Sequence, residues 1–248
     1  MTARGTAPIP LRAASLDAIG ALDVPTPRYD RNALIPRILH LGVGGFHRAH
    51  MALYTEEAAA DGGDWGIRGI GLLEQDRRMA DILRAQDYLY TLIERDSNGS
   101  NARIVGSIVD YTLAAGEVSV FADRVADPQL GILSLTITES GYSLTGGNPT
   151  IEAIVAALGE RRAVGGSPLT ILSCDNVPGN GDTARAAIMA LAERGGAELV
   201  RYVEACTFPN SMVDRITPQT RDDDRMWLHS EVGIDDGWPV VCERFDSG

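Results

Sequence analysis

Glycines and histidines crowd into one short string, Gly42-Val43-Gly44-Gly45-Phe46-His47-Arg48-Ala49-His50. Glycines at this spacing let a backbone turn sharply and approach a bulky anion. A helix that starts there adds unpaired N–H groups that suit a pyrophosphate. Gly42 permits the turn, and Gly44 lets the backbone reach phosphate oxygens. The third position of the G-x-G-x-x-G dinucleotide pattern is His47 instead of Gly or Ala, so the string alone also fits a plain strand-to-helix turn. His47 and His50 stand three apart and share a helix face. No Cys, Asp or Glu at ligand spacing joins them, and no metal site is expected. Further on, Glu74-Gln75-Asp76 follows an apolar run. An acid at that point bonds adenosine ribose hydroxyls and repels a 2′-phosphate, which favours NAD over NADP. Glu74 equally suits a solvated loop, and Arg77 and Arg78 beside it blur the charge.

Two more places offer chemistry. Thr138-Glu139-Ser140-Gly141-Tyr142 ends an apolar run, a common setting for a catalytic carboxylate; a capping or loop role for Glu139 is equally open. Asn176 and Asn180 lie in Asp175-Asn176-Val177-Pro178-Gly179-Asn180-Gly181, where carboxamides bind a ligand or shape a turn. There is no G-x-S-x-G elbow, so a serine hydrolase is unsupported. All 22 basic residues are arginine and none is lysine. The chain therefore has no lysine to serve as general base, Schiff-base former or phosphate point charge.

These residues need a scaffold, and the pattern of apolar runs supplies one. Ile38–Leu41, 65–73, 131–138 and 169–174 read as strands, the third and fourth as continuous buried runs. Between them 49–60, 77–86, 118–126, 150–163, 182–195 and 197–204 read as helices. Residues 88–93 and 104–111 alternate and are expected to pair as an antiparallel excursion, and 238–242 reads as a last strand. Strands alternating with helices of this length imply a doubly wound, mainly parallel α/β sheet of Rossmann type. Residues 1–36 read as a leader, frayed through Pro10 and turn-rich after it, and 37–248 as the dinucleotide-binding domain. Arg221-Asp222-Asp223-Asp224-Arg225 reads as a solvated charge cluster. The 248 residues are 44% apolar with a formal charge of −12, a balance that argues against nucleic acid or anionic lipid as partner. No apolar run approaches the ~20 residues that cross a bilayer. Three widely spaced cysteines fit neither a disulfide framework nor a zinc site, which implies a reducing, cytoplasmic setting.

From about Ser15 to Cys242 the chain resembles the long-chain mannitol dehydrogenases, a family of polyol-specific dehydrogenases. The resemblance rests on five strings in order: Gly42 to His50, Asp87-Tyr88-Leu89-Tyr90-Thr91-Leu92, Thr138 to Tyr142, Ser173-Cys174-Asp175-Asn176, and Phe208-Pro209-Asn210-Ser211-Met212-Val213-Asp214-Arg215-Ile216-Thr217-Pro218. It implies a zinc-independent, NAD(P)-dependent oxidoreductase. Such an enzyme oxidises a secondary alcohol of a sugar alcohol, of the mannitol/fructose type, or of a sugar acid. By resemblance Gly42, Gly44, Gly45 and Phe46 would bind the pyrophosphate, and Glu74 with Asp76 would face the ribose. Thr138 and Asn176 would lie on the cofactor side, with Asn176 polarising the reacting oxygen. Glu139 would help move the proton to water, and Asp214 would lie towards substrate. The family's base is a lysine in a second, helical domain that follows the position of Cys242-Glu243. That domain and that base are absent from this sequence, and the segment Ser143 to Pro149 is shorter than members usually carry.

The expectation is thus a cofactor domain that binds NAD and does not turn over polyol alone. A non-catalytic nucleotide-binding or sensor protein is the competing reading, and an S-adenosylmethionine-dependent methyltransferase a third. Phe208 to Pro218 and Trp238 to Cys242 are expected to expose apolar side chains at a domain junction. That exposure would bring self-association through that face or disorder after Pro218.

Overall fold

A computed structural model of the chain describes residues 7–97, 99–145 and 147–244. The first strand, β1 (Ile9–Pro10), is followed by a helical turn and α1 (Leu16–Gly20). Then come β2 (Ile35–Leu41), α2 (Gly45–Ala49), α3 (Met51–Ala60), β3 (Trp65–Gly71) and α4 (Arg77–Ala85). An excursion follows, β4 (Tyr90–Asp96) and β5 (Gly99–Val105), before β6 (Ile108–Leu113). The second half runs α5 (Val118–Val125), β7 (Ile132–Leu135), α6 (Pro149–Ala163), β8 (Thr170–Ser173), α7 (Asn180–Ala192) and α8 (Ala197–Glu204). The chain closes with α9 (Asp222–Trp227), β9 (Ile234–Asp235) and β10 (Val240–Glu243).

The main sheet has the order β6-β3-β2-β7-β8, and every neighbouring pair is parallel. Strand order reverses between β2 and β7, the place where an open α/β sheet parts its loops and receives ligands. Period-two alternation sends successive residues to opposite faces. Leu39, Leu41, Ile70, Leu133 and Ile171 join the core beneath α5 to α8. Ile38, Ile67 and Ile108 join a second core with α3, α4 and the small sheet. Helices on both faces make the sheet doubly wound, as the pattern of apolar runs predicts. Thr207 forms a parallel bridge to Thr170, a rudimentary continuation beyond β8.

Several expectations change. The segment 104–111 is two strands, because Gly106 and the buried Ser107 turn the chain between them. β5 pairs antiparallel with β4, while β6 joins the main sheet. β10 pairs parallel with β4 instead of entering the main sheet. The arm expected to fray through Pro10 is pinned at Ile9–Pro10 against β9; residues 1–6 lie outside the described residues. Leu11, Ile19 and Val24 pack with Ile93, Leu228, Ile234 and Val241 in a third core, so 7–36 buries one face of the small sheet. Order continues past Pro218 through α9, β9 and β10. Val240, Val241 and Cys242 are buried, not at a free face. Within the charge cluster Asp224 is buried. It accepts from the Arg221 N–H at 2.8 Å and pairs with Arg95 at 2.9 Å, so it caps α9 and is not solvated.

Candidate functional site

The glycine turn lies beyond the carboxyl end of β2, at the switch point. Gly42 has φ +94°, a conformation open to glycine, and a Cβ there would overlap the Thr136 carbonyl oxygen at the end of β7. Its own packing therefore requires a glycine. Gly44 differs: its φ is −121° and a Cβ would meet only the Gly42 oxygen, at 3.7 Å. A Cβ on Gly45 would touch Thr217 Cγ2 at 3.4 Å. Nothing inside the protein demands a bare backbone at Gly44. Its absent side chain leaves room for a ligand's phosphates beside the first turn of α2, whose leading N–H groups lack intrahelical partners. The cradle fits a dinucleotide.

The helix expected over 49–60 runs from Met51 to Ala60, and a separate short helix, α2, precedes it. α2 is five residues long, and His50 breaks it with φ −120° and ψ −93°. Three groups take up the carbonyls freed at the break. Tyr90 Oη donates to Arg48 O at 2.5 Å, Arg215 to Ala49 O at 2.6 Å, and His50 N to His47 O at 3.3 Å. Arg48 is buried; it donates to Trp238 O at 2.5 Å and its guanidinium lies 5.3 Å from the Tyr90 ring centre. The small sheet, through Tyr90 and the Trp238–β10 segment, thus holds α2 in place.

Behind the turn stands a relay that sequence reasoning missed, since His40 read only as part of an apolar run. Thr136 Oγ1 donates to Gly42 O at 2.6 Å, so its contact with His40 Nε2 at 3.0 Å must receive the imidazole proton. Nδ1 then accepts from Ser134 Oγ at 2.8 Å. Burial pushes His40 down to about 3, and the ring is neutral. His47, at the third fingerprint position, stacks on it at 3.4 Å between ring centres and is itself driven down by burial and by His40. His47 and His50 hold no metal geometry: His50 stacks on Phe46 instead, and the described residues contain no group of three potential ligands.

In front of the turn lies a cleft of about 490 Å³ lined by Gly44, Gly45, Phe46, Asp76, Thr217 and Trp238, among others. Asp76 begins α4 and accepts from Leu73 N at 3.0 Å. Its carboxylate lies where a Cβ on Gly71 would sit. Glu74 is not in this cleft. It is exposed and pairs with Arg77 at 2.5 and 2.9 Å, a contact that holds its carboxyl below the usual range. Thr138, Glu139 and Asn176 sit on the adjoining loops beyond β7 and β8. All three are exposed, and among the described residues the Glu139 and Asn176 side chains take no hydrogen-bond partner. Asn180 is structural: buried, it exchanges hydrogen bonds with Ser211 at 2.9 to 3.0 Å. Asn210 caps α7 from outside, accepting from Gly181 N at 2.9 Å.

The strand-like segment after Phe208 runs from β8 to α2 across the carboxyl end of the sheet. Its residues alternate. Arg215 turns inward to Ala49, to Glu94 at 3.0 Å and to the Glu243 carbonyl. Met212, Asp214 and Ile216 turn outward, the two apolar ones 83% and 67% exposed. Asp214 therefore faces away from the domain beside an exposed apolar pair.

Residues 36–247 match the family model described as the mannitol dehydrogenase Rossmann domain. The chain belongs to the mannitol dehydrogenase family. Within that family it is 43% identical to a mannitol 2-dehydrogenase of Cereibacter sphaeroides, across 90% of this chain and 51% of that one. An Aspergillus terreus mannitol 2-dehydrogenase is 40% identical across 94% and 52%. Among solved structures, the Pseudomonas fluorescens mannitol 2-dehydrogenase ternary complex with NAD and D-mannitol superposes with a TM-score of 0.90 at 41% identity, covering 96% of this chain and 53% of that one. A D-sorbitol dehydrogenase in substrate-free form gives 0.87 at 35%. This mannitol dehydrogenase-family chain spans about half the length of the relatives it matches.

Proposed function

We propose that the chain is the cofactor-binding half of an NAD-dependent oxidoreductase acting on a polyol of the mannitol/fructose type or a related sugar acid. The observation that carries this reading is the bare Gly44 backbone at the switch point, opening on a cleft that also presents Asp76. The family relation and the ternary complex of the Pseudomonas fluorescens relative support it. When bound, the nicotinamide supplies the hydride-accepting carbon. The family resemblance and the positions of these residues support the following roles. Gly42, Gly44, Gly45 and Phe46 hold the pyrophosphate. Asp76 takes the adenosine ribose hydroxyls, and its charge in the cleft selects NAD against NADP; Glu74 is neutralised by its pair with Arg77 and plays a lesser part. Thr138 and Asn176 flank the other half of the cofactor, with Asn176 donating to the reacting oxygen and Glu139 passing a proton to water. Asp214 faces the substrate side. The lysine that resemblance assigns as general base has no counterpart here, so hydride transfer requires groups from beyond these residues and the chain alone is inactive. Met212 and Ile216 supply an apolar face for self-association.

Calorimetric titration of the purified chain tests this. NAD is expected to bind in the micromolar-to-millimolar range, about −4 to −8 kcal/mol, with no mannitol-dependent NADH absorbance. Binding of S-adenosylmethionine and not NAD would overturn the dehydrogenase reading. Steady mannitol oxidation by the chain would refute the missing-base argument.

A further inference from the structure

A buried carboxylate joins the loops beyond β7 and β8. Asp175 is 7% exposed, and its two oxygens accept three hydrogen bonds: from Ile137 N at 3.1 Å, Thr138 N at 2.8 Å and Tyr142 Oη at 2.6 Å. The first two donors belong to the β7 loop, while Asp175 itself begins the β8 loop. Tyr142 in turn lies 2.7 Å from Ser173 Oγ, and because its own proton goes to the carboxylate, Ser173 is the donor there. Burial and the adjacent Asp175 push the Tyr142 hydroxyl up, so it remains a donor.

The held loop is strained. Thr138 has φ +66° and ψ 165°, a region that residues with a side chain rarely occupy. Such a conformation persists only where surroundings impose it. Asp175 Oδ1 meets the Thr138 N–H directly. The residue after Thr138 is Glu139, and the residue after Asp175 is Asn176. One carboxylate therefore sets the placement of all three exposed side chains on this side of the switch point.

A dinucleotide spans the switch point with one mononucleotide on each half of the sheet. The glycine turn and Asp76 belong to the β2-β3-β6 half, and the Asp175 clamp to the β7-β8 half. We propose that Asp175, with Tyr142, is a positioning residue for the nicotinamide half of the cofactor, acting through Thr138 and Asn176 without touching the adenosine half. The proposal rests on the cofactor reading given above.

NADH and ADP-ribose separate the two halves, because ADP-ribose lacks the nicotinamide ring. Wild-type chain, Asp175→Asn and Tyr142→Phe are titrated with both. Asn is close in shape to Asp but turns one acceptor into a donor, facing N–H groups that need an acceptor. NADH affinity is expected to fall about tenfold in Asp175→Asn and about threefold in Tyr142→Phe, with ADP-ribose affinity held within about twofold in both. Should Asp175→Asn fail to fold, the NADH-selective loss in Tyr142→Phe carries the test. Unchanged NADH binding, or equal loss of both ligands, overturns the positioning role while leaving the cofactor reading intact. Wild-type chain that binds neither ligand overturns both.

Discussion

His40 does its work as a neutral ring. Its Nε2–H reaches Thr136, which holds the Gly42 carbonyl, and its Nδ1 accepts from Ser134. Protonation would put a second donor against the Ser134 hydroxyl in a buried site and set a charge 3.4 Å from the His47 ring. With its folded value near 3, below the ordinary 6.5, the unfolded chain binds the extra proton between those limits. Stability from this ring is thus fully present above about pH 6.5 and is lost as pH falls towards 3, by about 1.4 kcal/mol per pH unit. Urea denaturation of the wild type and His40→Asn between pH 4 and 7 checks this, and a smaller slope is expected in the variant. Asp76 and Glu74 give a second prediction. Asp76→Asn should weaken NAD about tenfold by removing charge-assisted bonds to the ribose. Glu74→Gln should change it less than about twofold, since Glu74 is spent on an exposed pair with Arg77. Calorimetry on both variants distinguishes them, and equal losses would return the selecting role to Glu74.

At the scale of elements, α2 is too short to hold itself. Five residues make barely one turn, and a helix that brief owes its stability to contacts outside it. Those contacts come from distant segments, Tyr90 on β4 and Arg215 on the strand-like segment after Phe208. Arg215 is buried and its Glu94 partner is 23% exposed, so the pair is only weakly screened by water. Arg215→Met removes a bond to Ala49 O and leaves Glu94 without this partner. A loss of about 3 kcal/mol is expected from denaturant midpoints. A loss below about 1 kcal/mol would show that the glycine helix stands without this tie.

Over the whole molecule, three cores take up most of the apolar side chains, and Met212 and Ile216 are among the most exposed of the large ones left outside. β10 is inner structure, but Met212 and Ile216 project outward on either side of Asp214. Two large apolar side chains on one extended segment form a face that association would cover. Sedimentation velocity is expected to show concentration-dependent association that Met212→Glu with Ile216→Glu abolishes. A wild-type chain that stays monomeric at every concentration would refute association through this face.

The sequence by itself determined the layered architecture. Apolar runs such as Ile38 to Leu41 and helices such as 149–163 are local, and burying their apolar residues leaves a doubly wound sheet as the economical arrangement. It also marked the glycine turn, because the need for glycine at Gly42 is written in residue type. Tertiary structure alone decided which acid enters the cleft. Glu74 and Asp76 are two residues apart, and only the turn into α4 points one at Gly71 and the other at Arg77. It alone assigned His40, Asp175 and Arg215, whose partners lie from 28 to 166 residues away in sequence. A buried polar residue takes its meaning from what faces it. That partner is fixed by strand order and packing, which no local spacing records.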